Sequence, residues 1–289
     1  MSPRTGLARL QLRRRRRDLV PIALLVAAVG TLALGGAAGA RRTQTAFDRM
    51  AADTEAWDVL VNPHRGTHSS LEVDDLAGLE GVEAVSRFDS VLAISPAART
   101  LEDAYRAPTV LATDGVGLYD FGRPIMTSGR MPDPARAHEV LVDHNHAASA
   151  GLEVGDRLPW RVLAFEDLSR VLDQPDSDAL RDVIADTSLG TTLTVEVVGI
   201  GVVPDGVVVD GGFEPNQIYA TPALWEAAGG ASAGYWGAIV RLRDGAGVEA
   251  FRRGVEALVP DETVAFQTLE ATERKTERAA NPTAMALAS

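Results

Sequence analysis

The chain has 289 residues, a net charge of −12 and no cysteine. So acidic a polypeptide repels polyanions, which argues against nucleic acid as a partner. Without thiols, disulfides, thiolate metal sites and cysteine catalysis are all excluded, and the length is enough to bury a core as one large domain or two lobes.

The first elements point to a membrane. Seven arginines (Arg4, Arg9 and Arg13 through Arg17) stand against one acid, Asp18, before an apolar run of 22 residues at positions 19–40. As a helix that run spans roughly 33 Å, against a hydrocarbon core of about 30 Å. It reads as a transmembrane helix, and the positive-inside bias keeps the basic residues 1–18 in the cytoplasm. A cleaved signal peptide is the competing reading, because Ala38-Gly39-Ala40 fits a cleavage site. The run is long for that role, an apolar region of about 7–15 residues being usual. Arg41 and Arg42 follow, so residues 43–289 hold a net −20. That bulk is expected to be extracytoplasmic, tied to the cell membrane by a single pass with the N-terminus inside.

Beyond the membrane the pattern is mixed α and β. Residues 43–58 read as a helical stalk, and Val59, Leu60 and Val61 begin a strand. Ser69 and Ser70 are candidate caps for a short helix carrying Leu76 and Leu79, which Gly81 ends. Residues 82–95 and 108–113 are strand-like. Positions 139–143 (EVLVD) form a strand, 144–150 a short helix, and Gly151 a helix stop leading through a turn to Leu158. Residues 165–189 are an acidic insert. Apolar residues at Leu168, Val171 and Leu172, then Leu180, Val183 and Ile184, flank Pro175, a pattern that predicts a helical hairpin. Strands follow at 194–200 and 217–220, after which Thr221 caps a helix with Pro222 at its first position. Trp236, Ala238, Val240 and Leu242 alternate with Gly237, Ile239 and Arg241 as a half-buried strand. Asp244 is the expected cap of a final helix with Val248, Phe251, Val255 and Leu258 on one face.

Strand–helix–strand early and strand–helix late predict an α+β lobe built from both ends, residues 43–120 with 235–275. Residues 121–234 form an inserted, β-rich lobe, and 276–289 approach a second membrane helix. Catalytic chemistry is thin in this sequence. Asp143, His144, Asn145 and His146, with His138 nearby, invite a metal or hydrolase reading. Two histidines two apart on a helix diverge, however, and metal sites need three or four convergent ligands. His64 and His68 lie in a loop without helical context. No G-x-x-x-x-G-K-[ST] loop, no G-x-S-x-G elbow and no dinucleotide fingerprint occurs. No catalytic, cofactor-binding or metal residue is therefore assigned, and no cofactor is expected.

The string GR(x)8EVLVD from Gly129, then A(x)2GLxVGDxL from Ala148, then VxVVGI from Val195, resembles the extracytoplasmic core domain of FtsX-like ABC transporter permeases of the macrolide-exporter type. The resemblance runs from the membrane helix to about residue 279. It implies a two-lobed, periplasmic core domain with a porter-like α+β lobe and a β-rich inserted lobe. It also implies transport or signalling partnered by a cytoplasmic ABC ATPase subunit, a second permease copy or paralogue, and the lipid bilayer. The chain itself is not the enzyme. Such permeases have at least three further membrane helices, and residues 284–289 only begin an apolar stretch. The chain is thus expected to be a truncated permease portion, inactive alone. The alternative is a membrane-anchored extracytoplasmic binding domain or hydrolase.

Overall fold

The structure, a computed structural model, describes residues 49–63, 69–100, 102, 107–163, 177–203, 217–230 and 236–271. The basic N-terminus, the apolar run 19–40, His64, His68, the first half of the acidic insert and residues 276–289 lie outside these. Among the described residues no helix is long and apolar enough to cross a membrane.

In chain order the first elements are β1 (Val59–Asn62), α1 (Val73–Ala77), β2 (Val82–Val91), β3 (Ala93–Ile94), β4 (Thr109–Thr113) and β5 (Ile125–Gly129). Then come β6 (Glu139–Asp143), α2 (His144–Ala150), β7 (Arg157–Val162), α3 (Ser177–Ala185) and β8 (Thr191–Val202). The last are β9 (Gln217–Ala220), α4 (Pro222–Ala227), β10 (Trp236–Leu242), α5 (Val248–Leu258) and β11 (Ala265–Thr268). The mixed α+β class expected from the sequence is the class observed, and the strands join in one sheet ordered β11-β1-β10-β2-β4-β9-β6-β8-β7-β3, with β5 pairing β8.

Alternation explains the first end of that sheet. Val59, Val61, Ala238 and Val240 point to one face, where Leu76 of α1 and Phe251 and Val255 of α5 cover them. β10 lies between β1 and β2, antiparallel to both, while β11 pairs with β1. Each β-α-β unit thus leaves a gap that a strand of the other fills, the split arrangement of ferredoxin-like folds. On the same side further along, Val110, Val140, Val142, Val197 and Ile218 pack with Leu224 of α4. The opposite face carries Ile239, Phe88, Tyr219 and Leu141, covered by Trp57, Leu118 and Phe121. β4–β9 and β6–β8 are parallel pairs, and β6 is buried along its whole length, as a continuous apolar run requires.

Several local expectations fail for identifiable reasons. Ser69 and Ser70 lie too far upstream to cap α1. Ser69 Oγ accepts from the Leu71 amide at 3.1 Å, and Ser70 Oγ donates to Glu262 at 2.7 Å. Glu72 is the cap residue of α1, its amide held by Asp75 at 2.9 Å, and the helix ends at Gly78 rather than Gly81. Gly247, not Asp244, caps α5. Leu258 is exposed and Val259, past the last turn, takes the buried place. The stretch 82–95 is two strands, because β3 leaves its neighbour and pairs with β7 at the far edge of the sheet. The stalk helix covers only 49–53 of its described part, and Trp57 beyond it is buried. The second half of the acidic insert is helical, as α3. Arg161, 2% exposed, holds it to β7 by donating to the carbonyls of Ile184 and Asp186 at the helix's C-terminal end.

Candidate functional site

The aspartate–histidine neighbourhood does not assemble. Asp143 is fully buried and caps α2, its Oδ1 accepting from the amides of Asn145 at 2.8 Å and His146 at 3.4 Å. Burial raises its carboxyl above the ordinary range, against the amide donors and His144, which lower it. His144 is exposed and His146 buried, so the two diverge, as positions two apart on a helix must. His138 is also exposed, and its carbonyl accepts from the Glu196 amide at 2.7 Å. Among the described residues no group of three His, Asp or Glu side chains could hold a metal ion.

The string beginning at Gly129 folds instead into one knot of backbone and side-chain bonds. Gly129 has φ +71°, and a Cβ there would lie 2.2 Å from the Val198 carbonyl oxygen. A Cβ on Gly199 would meet the Arg130 carbonyl oxygen at 2.1 Å, so both positions are open to glycine alone. The Arg130 amide donates to Val198 O at 2.9 Å, Gly155 N to Val197 O at 2.8 Å, and Val197 N to Asp156 O at 2.9 Å. Gly151, at φ +66°, closes α2 in the left-handed conformation. Arg130 grips Glu139 with two bonds of 2.6 Å, and the Asp133 amide adds a third at 2.9 Å. The Arg130 guanidinium is the main cause that brings the Glu139 carboxyl down to about 2. Every piece of the string therefore holds another piece, which makes it a structural signature rather than a reactive site.

A pocket of about 290 Å³ opens on the sheet face that carries Ile239 and Phe88. Strand register puts Leu60, Ile239, Gly237, Phe88, Ser90, Leu111 and Tyr219 on that one face. Trp57, Leu118 and Val203 wall the pocket, and Asn62, Ser90 and Thr109 form its polar lip. The Phe88 and Tyr219 rings meet edge to face at 6.4 Å. Among the described residues no acidic or basic side chain lines it. This concavity was not anticipated from the sequence, because its lining comes from separate segments across the fold. The one local signal is Gly237, the second residue of β10, since a glycine within a strand marks a place where a ligand or another backbone can come close.

No family model matches the sequence, and no curated protein matches it. Among solved structures, the chain is similar to the periplasmic region of MacB from Actinobacillus actinomycetemcomitans, at 9% identity and a TM-score of 0.42, over 78% of this chain and 95% of that one. It is also similar to the extracellular domain of the noncanonic ABC-type transporter YknZ from Gram-positive bacteria, at 12% identity and a TM-score of 0.38, over 73% of this chain and 98% of that one. At identities this low and TM-scores below 0.5, such likenesses fix neither family nor function.

Proposed function

We propose that this chain is the first membrane helix and the extracytoplasmic part of an ABC transporter permease subunit. The observation that carries the reading is the knot formed by the string from Gly129 to Ile200. Gly129 and Gly199 stand where only glycine fits, and Arg130 and Glu139 pair with each other by two hydrogen bonds. The residues that carry the resemblance to FtsX-like permeases are thus residues that hold this fold together, which supports the reading. The arginine-flanked apolar run 19–40 and the acidic remainder add the expected topology.

In this reading ATP is hydrolysed by a separate cytoplasmic subunit, and the membrane helix passes its motion to residues 43–289. Those residues divide into a porter-like lobe (43–120 with 235–275) and an inserted lobe (121–234). A second permease copy or paralogue completes the transporter, whose task is export or signalling. No catalytic step falls to this chain. The hydrolase alternative is disfavoured by geometry, since Asp143 is committed to capping α2 and His144 and His146 face apart.

The natural lack of cysteine makes the test direct. Single-cysteine variants S2C and D244C are treated in intact cells with a membrane-impermeant maleimide, and the tagged protein is then isolated from cross-linked membranes. The expected result is labelling of D244C at once, of S2C only after permeabilisation, and co-isolation of a P-loop ATPase. Shielding of D244C in intact cells, or repeated isolation without any P-loop ATPase, would overturn the reading.

A further inference from the structure

We propose that the pocket on the Phe88 face binds one uncharged hydrocarbon chain ending in a hydrogen-bonding head, such as an alcohol. The site goes beyond the permease reading and does not depend on it. Its volume of about 290 Å³ is near the lower bound of the roughly 300–1,000 Å³ usual for small-molecule sites. That is room for a chain on the order of ten carbons, taking a methylene as about the size of a water's share of liquid volume.

The chemistry of the lining selects the ligand. Trp57, Leu60, Phe88 and Leu118 present apolar surface, and Gly237, near the start of β10, lines the pocket without a side chain. The hydroxyls of Ser90 and Thr109 stand at the lip and make no hydrogen bond to another described residue. In a protein of net charge −12, a pocket with no charged side chain among its described lining residues gives a carboxylate or phosphate none of them to pair with, and burying such a head there costs the desolvation of its charge. A neutral head can keep its hydrogen bonds at the hydroxyl lip while the tail leaves water.

The test photolabels the whole 289-residue chain, in phosphatidylcholine nanodiscs, with a diazirine-bearing dodecanol and maps the labelled peptides by mass spectrometry. Saturable labelling around Trp57, Phe88 and Tyr219 is expected, competed by decanol and not by decanoate. Competition by n-alkanols should strengthen about fourfold per methylene and level off at on the order of ten carbons. G237L should cut pocket labelling at least about tenfold. A Cβ at Gly237 meets only the Val61 carbonyl oxygen, at 3.4 Å, so the backbone leaves room for the branch, and a thermal melt checks that the fold is retained. Should that variant misfold, T109W at the exposed lip blocks the mouth and gives the same readout. Labelling that does not saturate, that is confined to residues 19–40, or that decanoate competes equally overturns the proposal. So does pocket labelling that appears only when residues 204–216 are replaced by a Gly/Ser linker, which would make the protein's own segment the occupant. None of these outcomes alters the maleimide topology or the co-isolation of an ATPase, so the two ideas fail separately.

Discussion

Glu139 sets the pH response of the knot. Its carboxyl falls from 4.5 in the free side chain to about 2, chiefly through Arg130. A folded pKa below the unfolded one stabilises the protein above the unfolded value, and the gain is lost as pH falls through the folded value. Arg130 is more than half exposed, with 55% of its side-chain surface open, so solvent screening reduces the contribution to about 2 kcal/mol at neutral pH. Replacing Glu139→Gln should cost that amount at pH 7 and almost nothing near pH 2, a convergence that thermal unfolding at the two pH values would reveal. Arg161 makes a different kind of demand. Its planar fork spans two carbonyls at the end of α3, a geometry that an ammonium does not reproduce. Arg161→Lys should destabilise by about 1–2 kcal/mol and speed hydrogen exchange in residues 177–185 before it affects β6. Equal exchange in the two regions would show that Arg161 does not anchor α3.

At the scale of elements, close approach of backbones decides what each strand tolerates. Gly199→Ala drives a methyl onto the Arg130 carbonyl oxygen and to within 2.7 Å of Met126 Cε, and a loss of about 3 kcal/mol in urea unfolding is expected. Gly247→Ala, with nothing within 4 Å of its Cβ, should cost no more than about 1 kcal/mol of cap preference. Thr221 both caps α4, accepting from the Leu224 amide at 3.1 Å, and donates to Arg136 O at 2.9 Å. Thr221→Ala should therefore cost about 1–2 kcal/mol, at the upper end for a cap. The same elements explain which parts of the fold were legible in the sequence. β6 and α2 matched residue for residue, because an apolar run ends there at an aspartate that stops the strand and caps the helix. β5, with the exposed sequence IMTSG, has no alternation to read. β3 is two residues long, and only its partner β7 makes it a strand. The serine caps were misplaced because hydroxyls upstream of a helix resemble caps until their partners are known; here those are Leu71 N and Glu262. The pocket was illegible, because periodicity reports which face a residue takes and not what lies opposite it.

At the scale of the whole described sheet, its first and last strands interlock. β10 fills the gap between β1 and β2, so without it the early part of β2 loses its partner and only Phe88–Val91 stay paired, with β4. Deleting residues 236–271 should leave β1 unpaired and the Phe251 side of the core uncovered. The product should lack near-UV circular dichroism and exchange its β2 amides freely; a cooperatively melting product would show that 50–230 folds alone. The same pairing has a mechanical meaning. The chain enters the sheet at Val59 and leaves it at Thr268, and these two residues are register partners, with Leu269 N donating to Asp58 O at 3.0 Å just beyond. Entry and exit therefore sit on adjacent strands, about 4.8 Å apart. Tension that separates the two points meets the β1–β11 bonds one after another and peels them like a zipper. Tension applied to both together loads the ladder as a unit, and the sheet follows as one stiff lever pivoting on a single corner.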